Sequence, residues 1–137
     1  MVVVAIATIL TTVVIASTSA SRAKSRDLRR QADIRELQLA LELYKDVNRE
    51  YPPTVDGTTG GTTWQDPLKT GGFLSQTVVP PVPPIGENYR YERIASSNKH
   101  YCLGIVVESA PSSMEAFDST KCTSVTFSPS TVFKVYK

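Results

Sequence analysis

The order of apolar and polar positions divides the chain into a greasy arm, an amphipathic helix and a mixed remainder. Met1 to Ala20 (MVVVAIATILTTVVIASTSA) carries no charge, and up to Ile15 it is apolar on nearly every side, so no face of it prefers water. From Arg22 the pattern turns amphipathic. Ile34, Leu37, Leu41 and Tyr44 recur at the three-to-four spacing of one helical face, and Ala32, Leu39 and Leu43 mark a second apolar edge. No proline interrupts before Pro52, so the pattern predicts one helix that runs to about Glu50 and stops at Tyr51-Pro52-Pro53. About 50 residues at 1.5 Å each make a rod ~75 Å long, more than a small domain can bury. Half of it is expected to be covered by lipid or by other copies of the chain.

The wide stripe has room for two partners: one side covers the sheet of the head, the other touches a neighbouring subunit. Glu36, Glu42, Asp46 and Glu50 alternate with Arg35, Lys45 and Arg49 on the rest of the surface, as solvated pairs. Beyond the helix, Thr54 to Gly72 is rich in Gly and Thr and reads as a loop, pinned by Trp64 and Phe73. Val78 to Pro84 (VVPPVPP) reads as an extended crossover inside the head rather than as a ligand for another protein. Tyr89, Tyr91 and Arg93 alternate with Arg90, Glu92 and Ile94, and His100 to Glu108 (HYCLGIVVE) is the strongest strand signal, with Ser96-Ser97-Asn98 as the turn between. Ser109 to Lys121 reads as a polar loop, and Thr123 to Phe127 and Thr131 to Tyr136 as one or two final strands. A helix followed by strands is α+β: a long N-terminal helix whose apolar half protrudes, packed on a 3-4 stranded antiparallel sheet. The expected parts are a membrane or assembly arm (1–21), its amphipathic continuation (22–50) and a globular head (51–137).

Twenty residues of helix reach ~30 Å, just enough for a hydrocarbon core. A cleaved signal peptide fits poorly, because the arm lacks a basic start and the helical pattern runs on past any cleavage site. A plain anchor and an assembly helix remain. Thr11, Thr12, Ser17, Thr18, Ser19 and Ser21 are mediocre helix formers suited to close helix–helix approach, and they point to assembly. The apolar core of such an assembly comprises Val2, Val3, Val4, Ile6, Ile9, Leu10, Val13, Val14 and Ile15.

The net charge of +2 makes no case for nucleic acid, and the basic patch conceivable from Lys99, Lys121, Lys134 and Lys137 is weak. Charge is local instead: Arg22, Lys24, Arg26, Arg29 and Arg30 crowd together, opposed only by Asp27. Their plain reading is a solvated or headgroup-level helix face. In an assembly they would repel unless paired, so inter-subunit pairing is expected among Arg22, Lys24, Arg26, Asp27, Arg29, Arg30 and Asp33, with Glu36 as a further acid.

Two cysteines, Cys102 and Cys122, are too few for a zinc site. One disulfide between them would close a loop of about 20 residues, add about 3 kcal/mol, and imply an oxidising compartment; two reduced core thiols are the alternative. The only histidine, His100, lies on a strand, and no Ser-His-Asp set, paired-carboxylate motif or Gly-rich phosphate loop stands out. An enzyme is not expected, nor any cofactor or metal.

The first 53 residues resemble the helix of bacterial type IV pilins and pseudopilins. An apolar run leads to Arg22-Ala23-Lys24-Ser25-Arg26-Asp27-Leu28-Arg29-Arg30. Then come Asp33-Ile34-Arg35-Glu36-Leu37-Gln38-Leu39-Ala40-Leu41-Glu42-Leu43-Tyr44 and Asn48 to Pro52. Asn88-Tyr89-Arg90-Tyr91 and Tyr101-Cys102-Leu103 resemble the sheet of small pilins, with Cys102 and Cys122 as the C-terminal loop disulfide. The family's Phe-Thr-Leu-Ile-Glu-Leu-like start would precede Val2 and is missing, through truncation or through processing that puts Met1 first; the short apolar span argues for truncation, and no assembly glutamate is carried over. The family's helix-breaking Gly and Pro are absent too. The resemblance implies a structural subunit that waits in the cytoplasmic membrane as a single-pass protein, meets the pilus assembly machinery, and forms a homo-oligomeric extracellular filament serving adhesion, motility or DNA uptake. The alternative is the major pseudopilin of a type II secretion system. Such proteins bind calcium, for which Asp56, Asp66, Glu115 and Asp118 are scattered candidates without EF-hand spacing.

Overall fold

The computed structural model describes residues 2–56, 60–82, 88–94, 99–108 and 132–136, and the side chains of all of these except 2–17 and 132–136. Helix α1 spans Val2–Asn48; a 3-10 turn, Thr63–Gln65, runs into the short helix α2, Asp66–Thr70; strands β1 (Arg90–Arg93), β2 (Tyr101–Val106) and β3 (Val132–Tyr136) follow. The molecule is α+β, a long N-terminal helix with an antiparallel sheet in the order β1-β2-β3.

α1 is a single helix because nothing inside it breaks the ladder: it holds neither Pro nor Gly. It stops at Asn48, short of the expected Glu50. The Asn48 side-chain amide donates to the Tyr44 carbonyl (2.9 Å), and Arg49 turns into the left-handed region (φ 68°) with its N–H on the Lys45 carbonyl. That left-handed residue closes the helix before the prolines are reached.

β2 is the centre of the sheet and is buried throughout. Its register sets Tyr91 beside Leu103 and Glu92 beside Cys102 on one edge, and Leu103 beside Val135 and Cys102 beside Tyr136 on the other. Alternation along the strand puts Tyr101, Leu103, Ile105 and Val107 in one core with Ile34, Leu37, Ala40 and Leu41 of α1. Aromatic rings fill the end of that core away from the arm. Trp64 stacks on Tyr91 with centroids 4.7 Å apart, and Tyr51 meets Tyr101 edge-on at 4.6 Å. The Tyr91 hydroxyl donates to the Pro52 carbonyl (2.7 Å), so the segment that leaves α1 is tied to β1.

The stretch expected to be a loop, Thr54 to Gly72, contains the 3-10 turn and α2. Two local features override its Gly and Thr content. Pro67 sits in the first turn of α2, where its missing N–H costs nothing. The Asp56 carboxylate accepts the backbone N–H groups of Thr63 (3.1 Å) and Trp64 (3.0 Å), which hold the start of the turn. Burial disfavours the charge on Asp56, but these donors and the Thr63 hydroxyl outweigh it and hold its carboxyl below the usual range. Gln65, fully buried, grips the chain at Val78 with both ends of its amide, accepting from Val78 N–H (2.8 Å) and donating to Val78 C=O (3.1 Å). This clamp fixes where the proline-rich segment leaves.

Cys102 is disulfide-bonded, and Cys122 is the only other cysteine of the chain. Cys122 and the expected strand Thr123 to Phe127 lie outside the described residues.

Candidate functional site

α1 has two working faces. The inner face is not purely apolar. Above Ile34 it carries Arg30 and Asp27, both buried, and they meet Glu108, the residue that ends the strongest strand segment. Arg30 Nη1 donates to Glu108 Oε1 (2.9 Å) and to Asp27 Oδ1, and its Nη2 donates to the Pro81 carbonyl (2.9 Å). Arg26, one turn earlier, forks onto Glu108: Nε reaches Oε1 at 2.8 Å and Nη2 reaches Oε2. The backbone N–H of Glu108 donates to Asp27 Oδ1 (3.0 Å). Two cations and two carboxylates thus balance in one cluster, which joins α1 to the end of β2 and to the proline-rich crossover. The Arg26 guanidinium, helped by Arg30, outweighs burial and pulls the Glu108 carboxyl down to about 2. In return the hydrogen bond to Glu108 raises Arg26 further. Below this cluster the Tyr89 hydroxyl donates to Asp33 Oδ2 (2.6 Å), and burial, then that carboxylate, push the phenol well above its ordinary value.

Of the seven residues expected to pair between subunits, four are therefore engaged inside the chain: Arg26, Asp27, Arg30 and Asp33. The reason is position. With about 3.6 residues per turn, Asp27, Arg30 and Ile34 fall on the face that carries Leu37 and Leu41. Arg22, Lys24 and Arg29 fall elsewhere and are exposed.

The outer face carries the second site. Leu28 (57 % exposed), Leu39 (62 %), Leu43 (43 %) and Val47 (69 %) line the side of α1 turned away from the core, with exposed Ala32 among them. The expectation of a second apolar edge free for a neighbour fell on this stripe. Its bearers are flanked by exposed Lys24, Arg29 and Arg35 toward the N-terminal half and by Glu36, half-buried Glu42 and Asp46 toward the C-terminal half.

The side chains of the expected assembly core, Val2, Val3, Val4, Ile6, Ile9, Leu10, Val13, Val14 and Ile15, lie outside the described residues, although the backbone there is helical and continuous with the rest of α1. Among the described residues no helix is long and apolar enough to cross a membrane. Of the calcium candidates, Asp56 caps the turn at Thr63, and Asp66 pairs with Lys69 one turn on; Glu115 and Asp118 lie outside the described residues. No group of His, Cys, Asp or Glu among the described residues is placed to hold a metal. His100 precedes β2 on the surface, and its carbonyl accepts the Ile94 N–H (3.1 Å). Lys99 is exposed, while Lys121, Lys134 and Lys137 have no described side chains.

Sequence reasoning missed Glu108 and Pro81. Glu108 does carry a signal: it is the first charge after a run of apolar residues on a buried strand, where a carboxylate demands a partner. Nothing in the sequence names Arg26 and Arg30 as that partner. Compared with known protein families, with characterised proteins and with solved structures, the chain matches none.

Proposed function

We propose that this chain is the structural subunit of an extracellular filament of the type IV pilus kind, built on a pilin fold. The observation that carries the reading is the outer face of α1. A helix continuous from Val2 bears exposed Leu28, Leu39, Leu43 and Val47 on the side opposite its own core, in line with an uncharged apolar arm. A solvent-facing helix has no use for such a stripe, and continuity with the arm makes one long surface for lateral packing.

In this reading the arm sits in the cytoplasmic membrane as a single pass until the assembly machinery releases it. It then packs against identical arms, with the heads outside. Burial of Val, Ile and Leu drives the packing at ~25 cal/mol per Å² once water surrounds the filament. Arg22, Lys24 and Arg29, left over from the cluster inside the head, are the cations that meet acids of neighbouring subunits. The disulfide at Cys102 fits an oxidising, extracellular setting.

Electron microscopy of material sheared from cells, with mass spectrometry of the subunit's N-terminus, tests the reading. Filaments containing this chain are expected. Leu39→Asp combined with Leu43→Asp should abolish them while the head stays folded. Absence of filaments from cells that make the chain and its assembly machinery would overturn the reading, and so would normal filament yield from that double variant.

A further inference from the structure

Folding sorts the cations beside the apolar arm by height and by partner. The uncharged stretch ends at Ser21, and Arg22, Lys24, Arg26, Arg29 and Arg30 follow. Arg26 and Arg30 are held by Glu108 and Asp27. Arg22, Lys24 and Arg29 are exposed, and no carboxylate among the described residues pairs with them. At 1.5 Å per residue, Arg22 stands about 3 Å, Lys24 about 6 Å and Arg29 about 14 Å above Ala20. Long side chains on a helix slope back toward its N-terminus, which here is the direction of the arm. That slope lowers even Arg29 toward the polar headgroup layer, about 5 to 8 Å deep on each side of a bilayer. Arg35 is exposed too, but it stands about 22 Å above Ala20, beyond that layer, with exposed Glu36 next to it.

We propose that, while the arm is seated in the membrane, Arg22, Lys24 and Arg29 hold the phosphates of anionic phospholipids in the adjoining leaflet. The inference rests on the membrane stage of the filament reading and names what occupies these cations before a neighbouring subunit does. Copies seated at one depth set their cations level with one another, where they repel. The exposed acids of α1 begin at Glu36, about 10 Å above Arg29. The acids nearer the arm, Asp27, Asp33 and Glu108, are engaged inside their own chain. At the level of the cations, the bilayer itself is the source of negative charge. Arg meets phosphate with a planar fork of donors, and Lys meets it as a point charge.

The cations surround the helix rather than line a pocket. With about 3.6 residues per turn, Arg22 and Arg29 fall on one flank of the outer stripe and Lys24 on the other. The chain therefore gathers headgroups on the side that its own head leaves open. A cation close to an anionic surface gains about a fivefold preference, so three together favour anionic lipid by up to about a hundredfold at low salt. The same lipids lower the repulsion between copies that crowd in the membrane. When copies shift along one another into a filament, the acids of a neighbour replace the phosphates. Lipid contact and subunit contact thus follow each other on the same side chains and do not compete within one stage.

Quenching by labelled lipid tests this on the full chain reconstituted in phosphatidylcholine vesicles. Ser25→Cys, at an exposed position between Lys24 and Arg26, carries the fluorophore. Nitroxide-labelled phosphatidylglycerol and nitroxide-labelled phosphatidylcholine are added in separate arms at equal mole fraction. The anionic quencher should bind at least about tenfold better at low salt and lose most of that lead in about 0.5 M NaCl. Arg22→Gln, Lys24→Gln and Arg29→Gln combined should bring the ratio close to one at an unchanged melting temperature. Arg35→Gln should leave the ratio as it is. Equal quenching of the native chain by the two lipids overturns the proposal. So does a triple variant that keeps the preference, or loss of the preference in Arg35→Gln. Inorganic phosphate that erases the preference at matched ionic strength assigns the cations to a soluble anion and also overturns it. Vesicle flotation and filament yield are scored separately. A chain that does not float with the vesicles removes the membrane stage and this inference with it. Absence of filaments with the lipid preference intact rejects the filament reading and leaves the lipid contact standing.

Discussion

Arg30 Nη1 lies 2.9 Å from Glu108 Oε1, across 78 residues of sequence, in a cluster whose centre, Arg30 and Asp27, is buried while Arg26 and Glu108 stay partly exposed. This pair decides how the helix sits on the sheet. Arg30 comes from the inner face of α1, Glu108 from two residues beyond β2, and the Pro81 carbonyl on Arg30 brings in the crossover. A charged residue on the buried side of a helix is costly if misplaced, so the cluster penalises every docking register except the one that joins all its members.

Removing one member is therefore expected to hurt more than its share of hydrogen bonds. Glu108→Gln leaves Arg30, 1 % exposed at its side chain, with Asp27 as its remaining carboxylate. The loss should be about 2 to 3 kcal/mol, read as a lower midpoint in urea unfolding. Arg26→Gln, at a more exposed position, should cost clearly less. Equal losses from the two variants would contradict the central place given to Arg30.

The same carboxylate sets an acid limit. The Glu108 carboxyl is depressed from 4.5 to about 2 in the folded chain. A depressed acid contributes stability that is complete above its unfolded value and is lost as pH falls toward its folded value. The window is thus about pH 4.5 down to about 2. Urea midpoints measured across it should fall steadily for the native chain and less steeply for Glu108→Gln. Parallel curves would show that other groups govern the acid sensitivity.

Gln65 offers a cleaner polar test. Its amide is completely buried and pairs with both backbone groups of Val78. Gln65→Leu keeps the bulk but strands the part-buried N–H and C=O of Val78, at an expected cost of about 1 to 3 kcal/mol in thermal or urea unfolding. A loss under about 1 kcal/mol would mean that water reaches Val78 once the clamp is gone.

At the end of α1, Arg49 holds φ at 68°, a region that L-residues with a Cβ adopt at a cost. Arg49→Gly should therefore stabilise the chain by about 0.5 to 1 kcal/mol, less than the full strain because glycine also loosens the unfolded chain. Arg49→Val, β-branched at the same place, should destabilise. Differential scanning calorimetry of the two variants distinguishes these signs, and a drop in melting temperature for Arg49→Gly would show that the Arg49 side chain contributes more than its backbone strain costs.

The elements were largely legible in the sequence where a strong period ran without competition. The absence of Pro and Gly before Pro52, with Ile34, Leu37 and Leu41 at helical spacing, was enough for α1 and its inner face. The apolar run from Tyr101 to Val107 was enough for the central strand. The 3-10 turn and α2 were hidden under glycines and threonines, because their support comes from Asp56 and from the Gln65 clamp on Val78, which are contacts at a distance.

By itself the sequence determined which residues are apolar, which helical face each falls on, and therefore that α1 has a surplus of apolar surface beyond one small head. Periodicity is a local property, and local geometry carries it without help from the rest of the chain. Only the tertiary structure decided which charges are internal. The basic cluster reads as one group in sequence. Folding splits it, turning Arg26 and Arg30 onto Glu108 and leaving Arg22, Lys24 and Arg29 outside. A side chain's partner depends on what the rest of the chain brings within about 4 Å, and for Arg30 that is a strand end 78 residues away.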